Sequence, residues 1–261
     1  MRTYGETPPH ETPYATLALI AVNALAFVVE ISVTNNQRAN LLLGGGVVPN
    51  EWHQALANMF AAPPTLWLTL LTAQFLYVGW WHFLTNMIAL LTAGAAVEKE
   101  FGHALFGVFF LLCGALAFAF HIAIAGSESV PALGPGAAVG GVLGAYVLLN
   151  WGKRVFIPFG TRGAGAPVVL LVGLWFAAQL LAGLAAVIPS FLGANIAWWI
   201  PASGFLLGLG LTRPLVRGRA WYAARQERDL PYFNPYDNPD EEYRPPRPQA
   251  RAPYDNEDEE R

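Results

Sequence analysis

The sequence predicts an all-α membrane protein: a bundle of six transmembrane helices with both termini in the cytoplasm. Three observations carry this. Of 261 residues, 54% are hydrophobic and 13% are charged, roughly half the charge of a soluble domain. The apolar residues gather into six runs near the length a bilayer demands. The basic residues collect in every second connection between those runs.

A spanning helix needs about 20 mostly apolar residues. Such runs fall at residues 15–33, 79–97, 103–125, 133–151, 166–188 and 196–212. The fourth is glycine-rich and the sixth is short. The stretch TLWLTLLTAQFLYVG, Thr65 to Gly79, is a further apolar piece of interfacial or re-entrant type. Residues 34–64 carry the breakers GGG and APP and read as part of a long first loop, long enough to suggest a role of its own. The opening MRTYGETPPHETPY is polar and Pro-rich, and the run after it lacks a small-residue cleavage site, so no signal peptide is expected.

Orientation follows from arginine and lysine. The second connection holds Lys99, and the fourth holds Lys153, Arg154 and Arg162. Arg213, Arg217, Arg219, Arg225 and Arg228 follow the sixth run. The first, third and fifth connections hold only Arg38. The positive-inside rule then puts both termini in the cytoplasm and the first loop outside. The domain reading is a cytoplasmic segment 1–13, a membrane domain 14–213 with its outward loop at 34–78, a basic juxtamembrane segment 214–228, and a tail 229–261. The tail is rich in Pro, Tyr and acids and reads as disordered. Eleven of the eighteen acids follow Gln226, and none lies between Ser129 and Gln226. The net charge of −3 therefore reflects the tail and says little about partners.

Within the helices, small and polar residues carry the information. Gly136, Gly140 and Gly144 recur at i, i+4 and i+8 on one face of the fourth run. Gly204 and Gly208 form a second such pair in the sixth, flanked by Ser203 and Gly210. Lipid gives helices no hydrophobic reason to associate, so small residues mark close backbone approach. The fourth and sixth helices are expected to touch there. His82 and Asn86 stand four apart on one face of the second run. They read as interhelical hydrogen-bonding partners or as a polar site toward the outer side, because polar groups in a span default to function. Glu98, at the cytoplasmic end of that run, reads as a solvated end charge or a hydrogen bond to a loop. His121 reads as a satisfied interior histidine. Cys113, the single cysteine, reads as a small buried hydrophobe. His82, His103 and His121 share neither helix nor ligand spacing, so no metal and no cofactor is expected.

These residues resemble a family. His82-x3-Asn86-Met87, followed by Gly94 and Glu98, is similar to the second helix of rhomboid intramembrane serine proteases. FGHALFGVFFLLCGALAFAFH looks like their third helix. GPGAAVGGVLGAY resembles their pattern G-x-S-G-A-x-x-G-x-x-G-A-Y, matching at Gly134, Ala138, Gly141, Gly144, Ala145 and Tyr146. AWWIPASGFLLGLGL resembles W-x-H-x-x-G-F-x-x-G, matching at Trp199, Gly204, Phe205 and Gly208. The resemblance covers roughly residues 14–213 and implies a six-span rhomboid-like fold, a fourth-helix serine nucleophile, a sixth-helix histidine base, and a second-helix His and Asn that hold the oxyanion. On this chain the oxyanion-type positions fall on His82 and Asn86. The nucleophile position falls on Gly136 and the base position on Pro201, and neither residue can do that chemistry. No shift of alignment repairs this. The serines are Ser32, Ser127, Ser129, Ser190 and Ser203, and no histidine follows His121. Pro201, about one turn into a helix starting near Ile196, is expected to bend that helix or make it begin late.

The functional expectation is a rhomboid-like pseudoprotease in the lipid bilayer that binds transmembrane client proteins, with no nucleic-acid partner. Thirteen arginines against two lysines point to a prokaryotic plasma membrane. The alternative is an active intramembrane serine endopeptidase with a relocated dyad, Ser203 or Ser129 with His82 or His121. A channel or transporter is the third class, weakened by the scarcity of helix charges beyond Glu30 and Glu98.

Overall fold

A computed structural model describes residues 12–57, 63–152, 154–159, 162–187 and 199–228. The tail 229–261 and nearly all of segment 1–13 lie outside the described residues. Contacts divide the chain into two units, Met1–Arg213 and Pro214–Arg261. The first holds the helical body. The second is described from Pro214 to Arg228, the C-terminal part of one helix.

The element order is α1 (Tyr14–Ser32), α2 (Asn35–Gly45), α3 (Pro49–Ala57), α4 (Pro64–Thr72) with a 3-10 turn Ala73–Phe75, α5 (Trp80–Phe101), α6 (His103–Ala125), α7 (Gly136–Leu149), β1 (Arg154–Phe159), β2 (Arg162–Pro167), α8 (Val168–Val187) and α9 (Trp199–Arg228). The six apolar runs correspond to α1, α5, α6, α7, α8 and α9. Helices α1, α5 and α6 are long and apolar enough to cross a bilayer, while α7 and Val168–Leu181 of α8 are shorter apolar helices. Their exposed side chains are large and apolar, among them Leu25, Ile88, Leu91, Val108 and Leu206. A helical body that turns such residues outward is built for a lipid surround.

Three expectations change. The first connection is helical rather than a plain loop. Thr34 and Gln37 form a capping box that starts α2, and Pro49 and Pro64 open α3 and α4, where proline's missing N–H costs nothing. The fourth connection is a hairpin, with Arg154 paired to Pro167 through Phe159 paired to Arg162, so the chain is not purely α. Two strands alone have only edges, which is where strand prolines are tolerated. The fourth run is helical only over Gly136–Leu149, about 21 Å of rise against a hydrocarbon core of about 30 Å.

The short helix is the central one. Every residue from Gly136 to Val147 is buried, as befits a helix that is apolar all round. The non-helical chain before it is held by protein. Val47 and Ala132 exchange both backbone hydrogen bonds, at 2.9 and 2.8 Å, and Gly134 N donates to Ala73 O at 2.7 Å. Irregular backbone is acceptable at such depth only when it is paired in this way. Gly134 has φ +109°, a conformation open to glycine, and it turns the chain into α7. The core cluster then joins Val47, Trp52, Leu66 and Ala73 of the first connection to Phe118, Ile122, Ala137 and Ile200.

A second set of polar contacts fixes the first connection. Glu30, 1% exposed, accepts from Arg38 Nη2 at 2.8 Å and Nε at 3.0 Å. Its other oxygen accepts from Tyr77 N at 2.8 Å. Arg38 also donates to Tyr77 O and Val78 O, both at 3.2 Å. The Tyr77 hydroxyl donates to Asn23 Oδ1 at 2.6 Å. Burial, reinforced by the nearby Glu30 carboxylate, pushes that hydroxyl above the ordinary phenol range, so it remains a donor.

Candidate functional site

Helix α7 begins at Gly136, and four helices meet there. A Cβ at Gly136 would lie 3.0 Å from Gln179 Nε2 on α8, 3.3 Å from Pro201 Cγ on α9 and 3.9 Å from Asn86 Oδ1 on α5. The approach of α7 and α9 continues downward through backbone. A Cβ on Gly140 would collide with the Pro201 carbonyl oxygen, and one on Gly144 with that of Phe205. On the facing helix, a Cβ on Gly204 would strike Ala137 O and one on Gly208 would strike Gly141 O. No larger residue fits at these four positions without separating the helices.

Pro201 is the third described residue of α9. The start expected near Ile196 lies outside the described residues.

His82 and Asn86 are buried on α5, 7% and 0% exposed. Asn86 Nδ2 donates to His82 O at 2.8 Å, a bond within its own helix. Asn86 Oδ1 and His82 Nδ1 have no hydrogen-bond partner among the described residues. The His82 ring lies against Gly134, where a Cβ would stand 2.9 Å from Nε2. It also meets the Tyr77 ring edge-on at 5.7 Å. Thr85 Oγ1, one residue before Asn86, lies 3.4 Å from Gln179 Oε1 and closer to two carbonyls of its own helix, Trp81 O at 2.9 Å and His82 O at 3.3 Å.

Sequence reasoning missed Gln179. It is the sole side-chain amide in VVLLVGLWFAAQLLAGLAAV, and a lone polar residue in a span is a functional candidate. That was the available signal. Trp175, one helical turn earlier on the same face, is buried with Nε1 unpartnered among the described residues.

The remaining candidates lie elsewhere. Ser203 Oγ donates to Ile200 O at 2.8 Å, a bond inside α9. Ser129 is exposed in the connection between α6 and α7. His121 accepts from Trp199 Nε1 at 3.1 Å through Nδ1. No hydrogen bond joins either serine to His82 or His121 among the described residues. Cys113 is buried against Gly141. No cluster of three metal-ligating side chains occurs among the described residues. Glu98 is not a solvated end charge. It is 2% exposed: Oε2 accepts from Thr16 N at 2.8 Å and Thr16 Oγ1 at 2.6 Å, and Oε1 accepts from Ala15 N at 2.8 Å and contacts His103 Nδ1. It satisfies the amides that open α1, which Pro13 gives no side-chain cap.

Chemically, the Gly136 point is faced by two carboxamides, Asn86 and Gln179, with the His82 imidazole one step away at Gly134 and no serine hydroxyl hydrogen-bonded to a histidine among the described residues. It can donate and accept hydrogen bonds to an uncharged group.

Fold and site together define a helical membrane protein with a polar centre where four helices converge. The Rhomboid domain model matches residues 64–218, more than half of the chain, and the chain belongs to the rhomboid family of intramembrane proteases. With its apolar helices it is a multi-pass integral membrane protein. No curated protein matches the chain.

Proposed function

We propose that this rhomboid is a pseudoprotease that binds transmembrane client helices. The observation that carries the reading is the neighbourhood of Gly136. By the family resemblance the nucleophile position falls on Gly136 and the base position on Pro201, whose Cγ lies 3.3 Å from the Gly136 Cβ position, with the Gln179 amide at 3.0 Å. Catalysis by serine needs a base within about 3 Å of the hydroxyl in productive geometry, and the hydrogen bond of Ser203 within its own helix lends a relocated dyad no support. The chain is read as six spans with both termini cytoplasmic, on the distribution of arginine and lysine. The same arginine bias favours a prokaryotic plasma membrane.

The test is labelling by a serine-reactive phosphonate in liposomes. The unaltered protein is expected to remain unlabelled. The Gly136→Ser, Pro201→His double variant is expected to gain labelling, because the family scaffold is kept. Labelling of the unaltered protein that disappears with Ser203→Ala or Ser129→Ala would sink the pseudoprotease reading.

A further inference from the structure

We infer that the Gly136 point is a recognition site for an uncharged hydrogen-bonding side chain (a carboxamide or hydroxyl) on a client's transmembrane helix, and that Gln179 is its reader. The inference rests on the client-binding reading above.

The argument begins with unmet hydrogen bonds. Buried polar atoms in a folded protein are almost always partnered. Here Asn86 Oδ1 and His82 Nδ1 are fully enclosed without a partner among the described residues, and Trp175 Nε1 is a third such atom on the helix that carries Gln179. Asn86 Oδ1 and Gln179 Nε2 both face the Gly136 Cβ position, at 3.9 and 3.0 Å. Even a Cβ at that point would press on Gln179 and Pro201, so a ligand group enters as the flexible Gln179 side chain swings aside. An acceptor and a donor therefore look onto one small volume from two different helices.

The chemistry selects the ligand class. A carboxamide supplies one acceptor oxygen and two N–H donors, and a hydroxyl supplies both roles in one atom. Either matches the pair formed by Asn86 and Gln179. A charged group does not, since Asn86, Gln179, Thr85 and Pro201 offer no countercharge and an isolated buried charge is costly. A wholly apolar side chain would leave the enclosed oxygen unpaired.

The same residues suggest how the site opens. Gln179 Oε1 meets the Thr85 hydroxyl at 3.4 Å, long for a hydrogen bond between oxygens, and the single proton of that hydroxyl has a nearer acceptor in Trp81 O at 2.9 Å, so the carboxamide oxygen is weakly held. Leu84 and Ile88 on α5, and Leu180 and Leu181 on α8, flank this pair in sequence and are exposed. The polar contact thus sits at a seam reached from the apolar surface. An incoming side chain exchanges for Thr85 on the carboxamide.

Binding of two synthetic transmembrane peptides to the labelled full-length protein in phosphatidylcholine vesicles tests this by energy transfer. One is a Leu/Ala host and the other carries a single Asn at the depth of Gln179. The unaltered protein is expected to prefer the Asn peptide by about three- to tenfold, the range of interhelical hydrogen bonds in bilayers. Gln179→Met should abolish the preference, and Thr85→Val should keep or raise it. If Gln179→Met does not fold, Gln179→Leu, which also lacks both donor and acceptor, reads the same loss. Equal binding of both peptides overturns the recognition site and leaves client binding standing. A preference that survives Gln179→Met overturns the role of Gln179. Binding of neither peptide overturns the client reading, and the inference with it.

Discussion

The two ends of α5 make an instructive pair. At one end Glu98 has every hydrogen-bonding capacity met by α1 and His103. At the other, His82 and Asn86 are as deeply buried, yet each keeps an atom without a partner among the described residues. Both clusters come from polar residues in an apolar helix, and burial does not distinguish them. Satisfaction does. A fully met polar group ties elements together, whereas an unmet one is stability forgone, and persists most readily where something else is meant to meet it.

Substitutions break this comparison in graded steps. The largest effect is expected at Glu98→Leu, which orphans two backbone amides and the Thr16 hydroxyl. A loss of about 3–5 kcal/mol should appear as a lower unfolding midpoint in detergent. A Leu variant as stable as the parent would mean that α1 is not anchored through Glu98. Arg38→Met provides a control of similar size away from α5. It leaves Glu30 buried without its partner, and breaking such a pair costs about 3–5 kcal/mol. Proteolysis within the first connection should accelerate accordingly. Glu98→Gln keeps one acceptor oxygen and the shape, so its cost should fall to about 1–2 kcal/mol. The smallest effect belongs to the unmet end. Asn86→Leu removes an orphaned oxygen and gives up one bond to a carbonyl of its own helix. Its stability should stay within about 1 kcal/mol of the parent, with a gain as the favoured sign. A drop as large as that of Glu98→Leu would show that Asn86 is structural and would erase the contrast.

Much of this architecture was legible in the sequence, because length and apolarity alone mark the helices. The absence of a serine from the fourth run and of a histidine from the sixth was legible for a stronger reason. Serines and histidines can be counted, and no choice of register supplies either. Other features were hidden because their signals are relational. Glu98 acquires its meaning from amides 82 and 83 residues away. Gln179 is one amide in an apolar helix until α8 is set beside α5 and α7. The shortening of α7 depends on a single backbone angle at Gly134 and on a bridge to Val47, and neither leaves a periodic trace. The hairpin after α7 lies in a stretch that charge counting treats as a connection.

The seam between α7 and α9 has an evolutionary consequence. At Gly140, Gly144, Gly204 and Gly208 an added Cβ would meet the backbone of the facing helix, so the fold itself rejects substitution there. At Gly136 the nearest atoms belong to the side chains of Gln179 and Pro201, which can repack where backbone cannot. The bundle therefore tolerates change at the head of α7 more readily than one or two turns along it.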